Sequence, residues 1–425
     1  MKTLAVLLLS ALCAFAEVRT MTLRQALDLA LAQNPDLMIA RLDQQKARTQ
    51  VTIARDPFLP KVFGGSGAAK TWGFPTSIDG NAPSIFEART QMALFDRPQT
   101  YQIAEANENV RGAQIDVARQ QDEVAYRVAS LFLDAEQAAR SLAAAEREAE
   151  NLARVRELVD ARVADGRELP IETKKANLAS LRTRQRVDSL SLDLINAQTS
   201  LAVVLGLEPN DRVQAAQEDR PALAMPESEE SSISAALDRS PELKRLESNM
   251  QSKMLEIKSY RAMRLPKVNL VAQYSLLGKY NNYLDYFRAF QRNNAELGAS
   301  IEVPLLVGRA SAAYATQAEL DIAKLKIEVS RTRSRIAADL RRGFQDVKQA
   351  DTAREVARAD LDVARDQLTL DLAQMDEGRI PMAAVEQARA MEQEKWMAYY
   401  EAQHGAESAR LNLLKQTGTL LAALK

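Results

Sequence analysis

Residue types that carry chemistry are nearly missing from this chain. His404 is its only histidine and Cys13 its only cysteine. There is thus no histidine pair for acid–base work, no multi-histidine metal centre and no second thiol for a disulfide. A solvated or helix-packing role suits His404 best. Gly64-Gly65-Ser66-Gly67 is rich in glycine, but no helix follows it directly and the lysine of a phosphate-binding loop is absent. Carboxylates abound, with 57 Asp and Glu against 56 Lys and Arg, yet the two signs are finely interleaved, as on solvated helix faces. A glycoside- or peptidoglycan-active enzyme would need paired acids in a cleft, and no such pair stands out. The net charge of −1 supplies no basic field for nucleic acid. No enzyme, cofactor or metal is expected.

The informative feature is that the chain contains itself twice. Asn34-Pro35-Asp36-Leu37 returns as Ser240-Pro241-Glu242-Leu243, and Leu59-Pro60-Lys61-Val62 returns unchanged at Leu265-Pro266-Lys267-Val268, both 206 residues later. Asp134, Gly166-Arg167, Ala176 and Gly206 recur as Asp346, Gly378-Arg379, Ala388 and Gly418, 212 residues later. A repeat of this length is a duplicated half-protein, not a solenoid unit.

The N-terminus has the layout of an export signal. Lys2 precedes an apolar stretch from Leu4 to Phe15, and Ala14-Phe15-Ala16 forms a cleavage site before Glu17. The stretch is too short to span a membrane as a helix. Leu12 stands before Cys13 where a lipoprotein signal needs a small residue. Removal of residues 1–16 leaves a mature chain with no cysteine and no apolar run near ~20 residues.

Within each half, Leu23, Ala26, Leu27, Ala30 and Leu31 fall at helical spacing until Asn34-Pro35 interrupts them. A second helix runs from Pro35 to about Arg55, with its counterpart from Pro241 to Arg261. Period-two alternation follows. Phe86, Ala88, Thr90, Met92 and Leu94 oppose Glu87, Arg89 and Gln91. Val268 to Leu276 opposes Asn269 to Ser275, and Ala295 to Val303 opposes Glu296 to Glu302. An earlier strand, Val62 to Trp72, is Gly- and Ala-rich and alternates poorly. Strands of ~9–11 residues with one apolar and one polar face fit a membrane barrel, although an ordinary half-buried sheet alternates too. Trp72, Phe74, Tyr274, Tyr280, Tyr283, Tyr286, Phe287 and Phe290 crowd the hairpin ends, as an interfacial aromatic belt would.

Each strand pair leads into a long proline-free helix, Gln99 to Asp165 and Ser311 to Glu377, on the order of 100 Å at 1.5 Å per residue. The seams are heptad-like: Val128, Ala135 and Leu142 with Leu131, Ala138 and Ala145, then Leu340, Val347 and Leu361 with Gly343, Ala350 and Ala357. Val155, Val356, Val363 and Leu370 lie off these seams and predict contacts on a second side. Gly166 and Gly378 turn the chain into return helices that end at Gly206 and Gly418. The expected organisation is a signal peptide at 1–16, a first repeat at 17–207, a linker at 208–230 and a second repeat at 231–425. The β-hairpins fall at about 60–96 and 266–307, and the helical hairpins at 97–207 and 309–418. Four strands with open edges cannot sit in lipid, and membrane barrels close with at least about eight. Three copies would supply twelve.

Taken in order and twice over, Asn-Pro-Asp-Leu/Ser-Pro-Glu-Leu, Leu-Pro-Lys-Val, Leu94-Phe95-Asp96, Pro304-Leu305-Leu306-Val307-Gly308 and the turn glycines resemble the TolC-like outer-membrane efflux proteins, from Thr22 to about Leu420. The resemblance implies a fold that is mainly α with a membrane β-barrel. A homotrimer would join a twelve-stranded barrel in outer-membrane lipid to an α-helical tunnel across the periplasm. It also implies a passive exit duct whose partners are an inner-membrane transporter and a periplasmic adaptor. Gly166, Arg167, Leu169 and Pro170, with Gly378, Arg379, Ile380 and Pro381, match the family's periplasmic turns, which face the adaptor; turning the chain would itself account for the Gly and Pro. The family's best-known member narrows its entrance with aspartate rings after the second turn. Ala384 and Gln387 occupy those positions here, with Glu386 nearby, so this chain departs from the pattern. Glu172 and Glu386 are the candidates for the closed mouth. Glu87, Arg89, Glu296 and Glu302 would face the lumen, either setting its selectivity or simply meeting water. The cargo (drugs, metal ions or proteins) is not legible. The alternative reading is a soluble periplasmic coiled-coil scaffold, which explains the rods but not two alternating hairpins at equivalent places.

Overall fold

A computed structural model describes residues 18–69, 72, 83–208, 210–216, 225, 228–278, 291–305 and 308–424. The export signal with Cys13, the aromatics Phe74, Tyr280, Tyr283, Tyr286, Phe287 and Phe290, the linker prolines Pro209, Pro221 and Pro226, and Leu306-Val307 lie outside the described residues.

The first repeat comprises β1 (Val18–Met21), α1 (Leu23–Gln33), α2 (Pro35–Arg55), a short 3-10 turn at Asp56–Phe58, β2 (Lys61–Gly67), β3 (Ser84–Phe95), α3 (Arg97–Ala164) and α4 (Pro170–Val204). After β4 (Arg212–Ala215) the second repeat follows as α5 (Glu229–Arg239), α6 (Pro241–Ala262), β5 (Lys267–Leu277), β6 (Asn293–Glu302), α7 (Ala310–Asp376), α8 (Met382–Thr417) and α9 (Leu420–Leu424). The order helix, helix, strand, strand, long helix, return helix thus occurs twice. Secondary structure is mainly helical.

Local chemistry sets the boundaries. Thr22 and Gln25 form a reciprocal capping box that opens α1, each side chain bonding the other's backbone N–H at 3.2 and 3.1 Å. Asn34 ends α1 and starts α2. Its side-chain oxygen accepts from the Leu37 N–H at 3.1 Å, and its amide donates to the Val204 carbonyl at 2.7 Å. One buried side chain therefore serves the start of α2 and the last turn of α4. Each long helix and each return helix closes on a glycine of positive φ: Gly166 at 70°, Gly206 at 78°, Gly378 at 73° and Gly418 at 68°. At all four, the glycine N–H and the following N–H bond carbonyls three and five residues back, as in Val163 and Arg162 for Gly166 and Arg167. This is the Schellman closure, which an L side chain at the glycine position would strain.

The chain divides into two compact units, each assembled from both repeats. The first comprises Met1–Ile39, Ala118–Ser240 and Arg333–Lys425; the second, Ala40–Val117 and Pro241–Thr332. In the first unit, Leu27, Ala125, Ala129, Leu133, Leu411 and Leu414 form one core, where α1, α3 and α8 meet. Ala236, Leu340, Val347 and Leu413 form another from α5, α7 and α8. Of the expected seam, Val128 and Leu340 are fully buried and Ala135, Ala145, Val347 and Leu361 are buried too, whereas Leu131, Ala138, Leu142, Ala350 and Ala357 are only partly covered within the single chain. Of the positions off it, Val155 is buried while Val363 stays 70 % exposed. Within the segment expected as linker, β4 pairs in parallel with β1, Val18 opposite Arg212 and Met21 opposite Ala215, and its Val213 is fully buried.

In the second unit, Ile257 of α6 packs on Ala315 and Ala318 of α7. Arg245 ties α6 to α3 through Asp116 at 2.9 Å. The four-stranded sheet has the order β2-β3-β5-β6, antiparallel throughout. The two hairpins therefore join through β3 and β5. β2 stops at Gly67, short of Trp72, which is 82 % exposed.

Candidate functional site

The register of the sheet sorts its residues onto two faces. One face carries Phe63, Arg89, Gln273 and Glu296 in one cross-strand row, and Gly65, Glu87, Ser275 and Asn294 in the next. Lys267 stands opposite Glu302 further along that face. The other carries Val62, Thr90, Ala272 and Leu297, then Gly64, Ala88, Tyr274 and Ala295, then Met92, Leu270 and Ala299. Glu87, Arg89, Glu296 and Glu302 thus share the polar face. Opposite them is an apolar surface three to four strands wide, with Val62 69 %, Leu297 78 % and Ile301 68 % exposed. The outer edges of β2 and β6 have no strand beside them among the described residues. Exposed apolar surface next to unpaired backbone is unstable in water, so such a sheet needs lipid on one face and further strands at its edges.

The tips lie in the first unit. The first turn exposes Leu169 (69 %) and Ile171 (49 %), and Arg162 pairs with Glu168 across it at 3.3 Å. At the second, Arg379 pairs with Glu377 at 2.9 Å. A Cβ on Gly166 or on Gly378 would meet nothing within 4 Å, which leaves both turns open to solvent.

The two aperture candidates sit in different settings. Glu172 accepts from Lys175 at 2.8 Å near the surface. Glu386 accepts from Arg389 at 3.1 Å and lines a groove of about 870 Å³ between α3, α4, α7 and α8. Glu172 is not part of that groove. Burial pushes the Glu386 carboxyl above the ordinary glutamate value, with Arg389 pulling partly the other way. Glu148, across the groove on α3, is raised by burial too and opposed by Arg186. Sequence reading missed Glu148, Arg186 and Arg389 because the groove forms from helices separated by dozens to hundreds of residues. The only signal was the position of Glu386 just past the second turn. Among the described residues no cluster of potential metal ligands occurs, and no helix is long and apolar enough to cross a membrane.

This arrangement, a duplicated set of long helical hairpins joined to a half-lipophilic sheet, is that of an outer-membrane channel subunit. The model of the outer membrane efflux protein family matches residues 26–207 and 232–419; the chain belongs to that family. Solved structures share the fold across nearly the whole chain. The CmeC outer membrane channel of Campylobacter jejuni is 15 % identical with a TM-score of 0.75, the match covering 94 % of this chain and 86 % of that one. The Vibrio cholerae outer membrane protein VceC is 14 % identical at 0.74, covering 93 % and 96 %. The open state of the Neisseria gonorrhoeae MtrE outer membrane channel is 17 % identical at 0.67, covering 95 % and 88 %. No curated protein matches the sequence. Family membership makes this an outer-membrane channel protein rather than an enzyme and sets aside the soluble scaffold.

Proposed function

We propose that this protein is the passive exit duct of a tripartite efflux or secretion system. Three copies close a twelve-stranded barrel in the outer membrane and bring six helical hairpins together as a periplasmic tunnel. An inner-membrane transporter supplies the energy, and a periplasmic adaptor meets the tips at Gly166 to Pro170 and Gly378 to Pro381. The carrying observation is the sheet: four antiparallel strands from both repeats, an apolar face fit for lipid and two unpaired outer edges. The helices agree. Val356, Val363 and Leu370 of α7 repeat every seven residues and are 57, 70 and 52 % exposed, while Ile171, Leu178 and Leu192 of α4 are 49, 49 and 60 % exposed. Heptad stripes left bare in one chain are the seams of a coiled coil with another.

In this reading Glu87, Arg89, Glu296 and Glu302 face the lumen, and Glu172 and Glu386 line the closed mouth. Because the mature chain has no cysteine, single cysteines along β2 paired with single cysteines along β6 test closure directly. Oxidation yielding covalent dimers and trimers at one register supports it. Absence of cross-links at every register contradicts it. For the mouth, Glu172→Ala with Glu386→Ala is expected to change single-channel conductance and cation preference; unchanged values remove both residues from the aperture.

A further inference from the structure

The duplicated Leu-Pro-Lys-Val motif marks the two places where a helix gives way to a strand, and basic residues recur around it. Arg55 and Arg261 stand 206 residues apart, each just before the motif. Arg97, which opens α3, and Arg309, which immediately precedes α7, stand 212 apart. Contacts within the second unit gather these junctions at one end of the sheet. Gln99 donates to the Ala54 carbonyl at 2.7 Å and Ser259 to the Pro98 carbonyl at 3.1 Å, which sets the last turns of α2 and α6 against the first turn of α3. Tyr260 stacks on Tyr314 at 5.3 Å and brings in the start of α7. Of the carboxylates here, Asp56 pairs with Lys61, Asp96 with Lys267 at 3.3 Å and Glu319 with Arg261 at 2.6 Å. Glu302 lies on the polar face opposite Lys267. Arg55, Arg264 and Arg309 are exposed and have no ion-pair partner among the described residues. At the same end, the apolar face of the sheet finishes in the row Phe95, Val268 and Ile301, and Leu59, Leu265 and Leu305 stay exposed on the connecting segments. Unneutralised arginines interleaved with bare leucines, directly beyond a lipophilic sheet face, complement a phosphate-bearing amphiphile whose chains continue along that face. A water-soluble polyanion would leave the leucines uncovered.

We propose that this end of the sheet is a docking belt for anionic phospholipid headgroups, recognised by Arg55, Arg264 and Arg309. The inference rests on the sheet standing in the outer membrane as the wall of the duct, and adds a preference for lipid charge in the leaflet on the helix side. Lipid preference and duct formation are measured separately.

Trp72 and Trp396 are the only tryptophans, so Leu265→Trp in a Trp72→Phe/Trp396→Phe background puts the sole indole next to Arg264. The mature protein is reconstituted in phosphatidylcholine bilayers that carry a fraction of either phosphatidylglycerol or phosphatidylcholine with brominated chains, whose bromine quenches a nearby indole. Expected is a relative association about fivefold in favour of phosphatidylglycerol, the effect of one cation at a membrane surface, declining as salt is raised. Arg55→Gln/Arg264→Gln/Arg309→Gln brings the ratio near one, and the corresponding Lys triple, which keeps the charge, retains most of it. Millimolar inorganic phosphate at constant ionic strength leaves the ratio unchanged. Quenching by neither lipid, equal association of both, a ratio untouched by the Gln substitutions, or displacement by phosphate, which would assign the arginines to a free anion, overturns the proposal. Where the Gln triple fails to assemble, the parent ratio and its salt dependence decide. Native mass and planar-bilayer conductance are read alongside. A conducting trimer without lipid preference removes the belt alone, and a preference in a protein that conducts no ions leaves the belt standing and removes the duct.

Discussion

His404 Nε2 lies 2.8 Å from Asp134 Oδ1, tying α8 to α3 inside the first unit. The pair breaks the internal symmetry. Asp134 has a counterpart in Asp346, but 212 residues before His404 stands Leu192, which is 60 % exposed. With side-chain exposures of 24 % and 43 %, the interaction is partly screened and worth about 0.5–1 kcal/mol. A double-mutant cycle with His404→Ala and Asp134→Ala, followed by thermal unfolding, is expected to return a coupling of that size. Strict additivity would mean that the contact contributes nothing.

The four turn glycines rank by their surroundings. A Cβ on Gly206 would lie 2.8 Å from the Gln33 carbonyl oxygen, whereas one on Gly166 or Gly378 meets nothing within 4 Å and one on Gly418 meets only Arg239 at 3.9 Å. Gly166→Ala, Gly378→Ala and Gly418→Ala should each cost about 1–2 kcal/mol from backbone strain alone. Gly206→Ala adds a backbone clash and should cost visibly more. Equal costs at Gly206 and Gly166 in denaturant unfolding would contradict this ranking.

Acidification should relieve strain at the groove. The folded protein holds the Glu148 and Glu386 carboxyls above their ordinary value, chiefly by burial. Between the ordinary and the raised value the folded state binds more protons than the unfolded state, so stability falls as pH rises through that window and is lowest above it. Glu148→Gln/Glu386→Gln, which mimics the protonated pair, should unfold at higher temperature than the parent at neutral pH. The gap should narrow as pH falls toward the ordinary glutamate value. A gap that widens on acidification would reverse the sign.

Much of this fold is written in the residues. The helix starts at Pro35 and Pro241, the turn glycines and the alternation of β3, β5 and β6 each follow from a local rule that no distant contact overrides. β2 is harder because Gly64, Gly65 and Gly67 carry no side chain to alternate, and its place beside β3 depends on pairing. β4 lies in a short segment with too few residues for a period, and its partner β1 is almost 200 residues away. Val155 and Val363 look alike in sequence, yet one is buried by its own chain and the other is 70 % exposed; only assembled helices separate them. The same distance effect hid the groove, whose Glu148 and Glu386 belong to different repeats.

The bare stripe on α7 makes a separable prediction. Val363 is 70 % and Leu370 52 % exposed, so Val363→Glu/Leu370→Glu should cost the single chain no more than about 0.5 kcal/mol per site. In a coiled-coil interface the same charges would be desolvated and unpaired. Circular dichroism is expected to show retained helix while the oligomer dissociates. A variant that stays assembled would place the intermolecular seam elsewhere.

The most direct measurement is the native mass of the mature protein extracted by detergent from a purified outer-membrane fraction. The account predicts a particle of three chains that conducts ions when placed in a planar bilayer. A monomer or dimer released without detergent would contradict the barrel, and with it the duct.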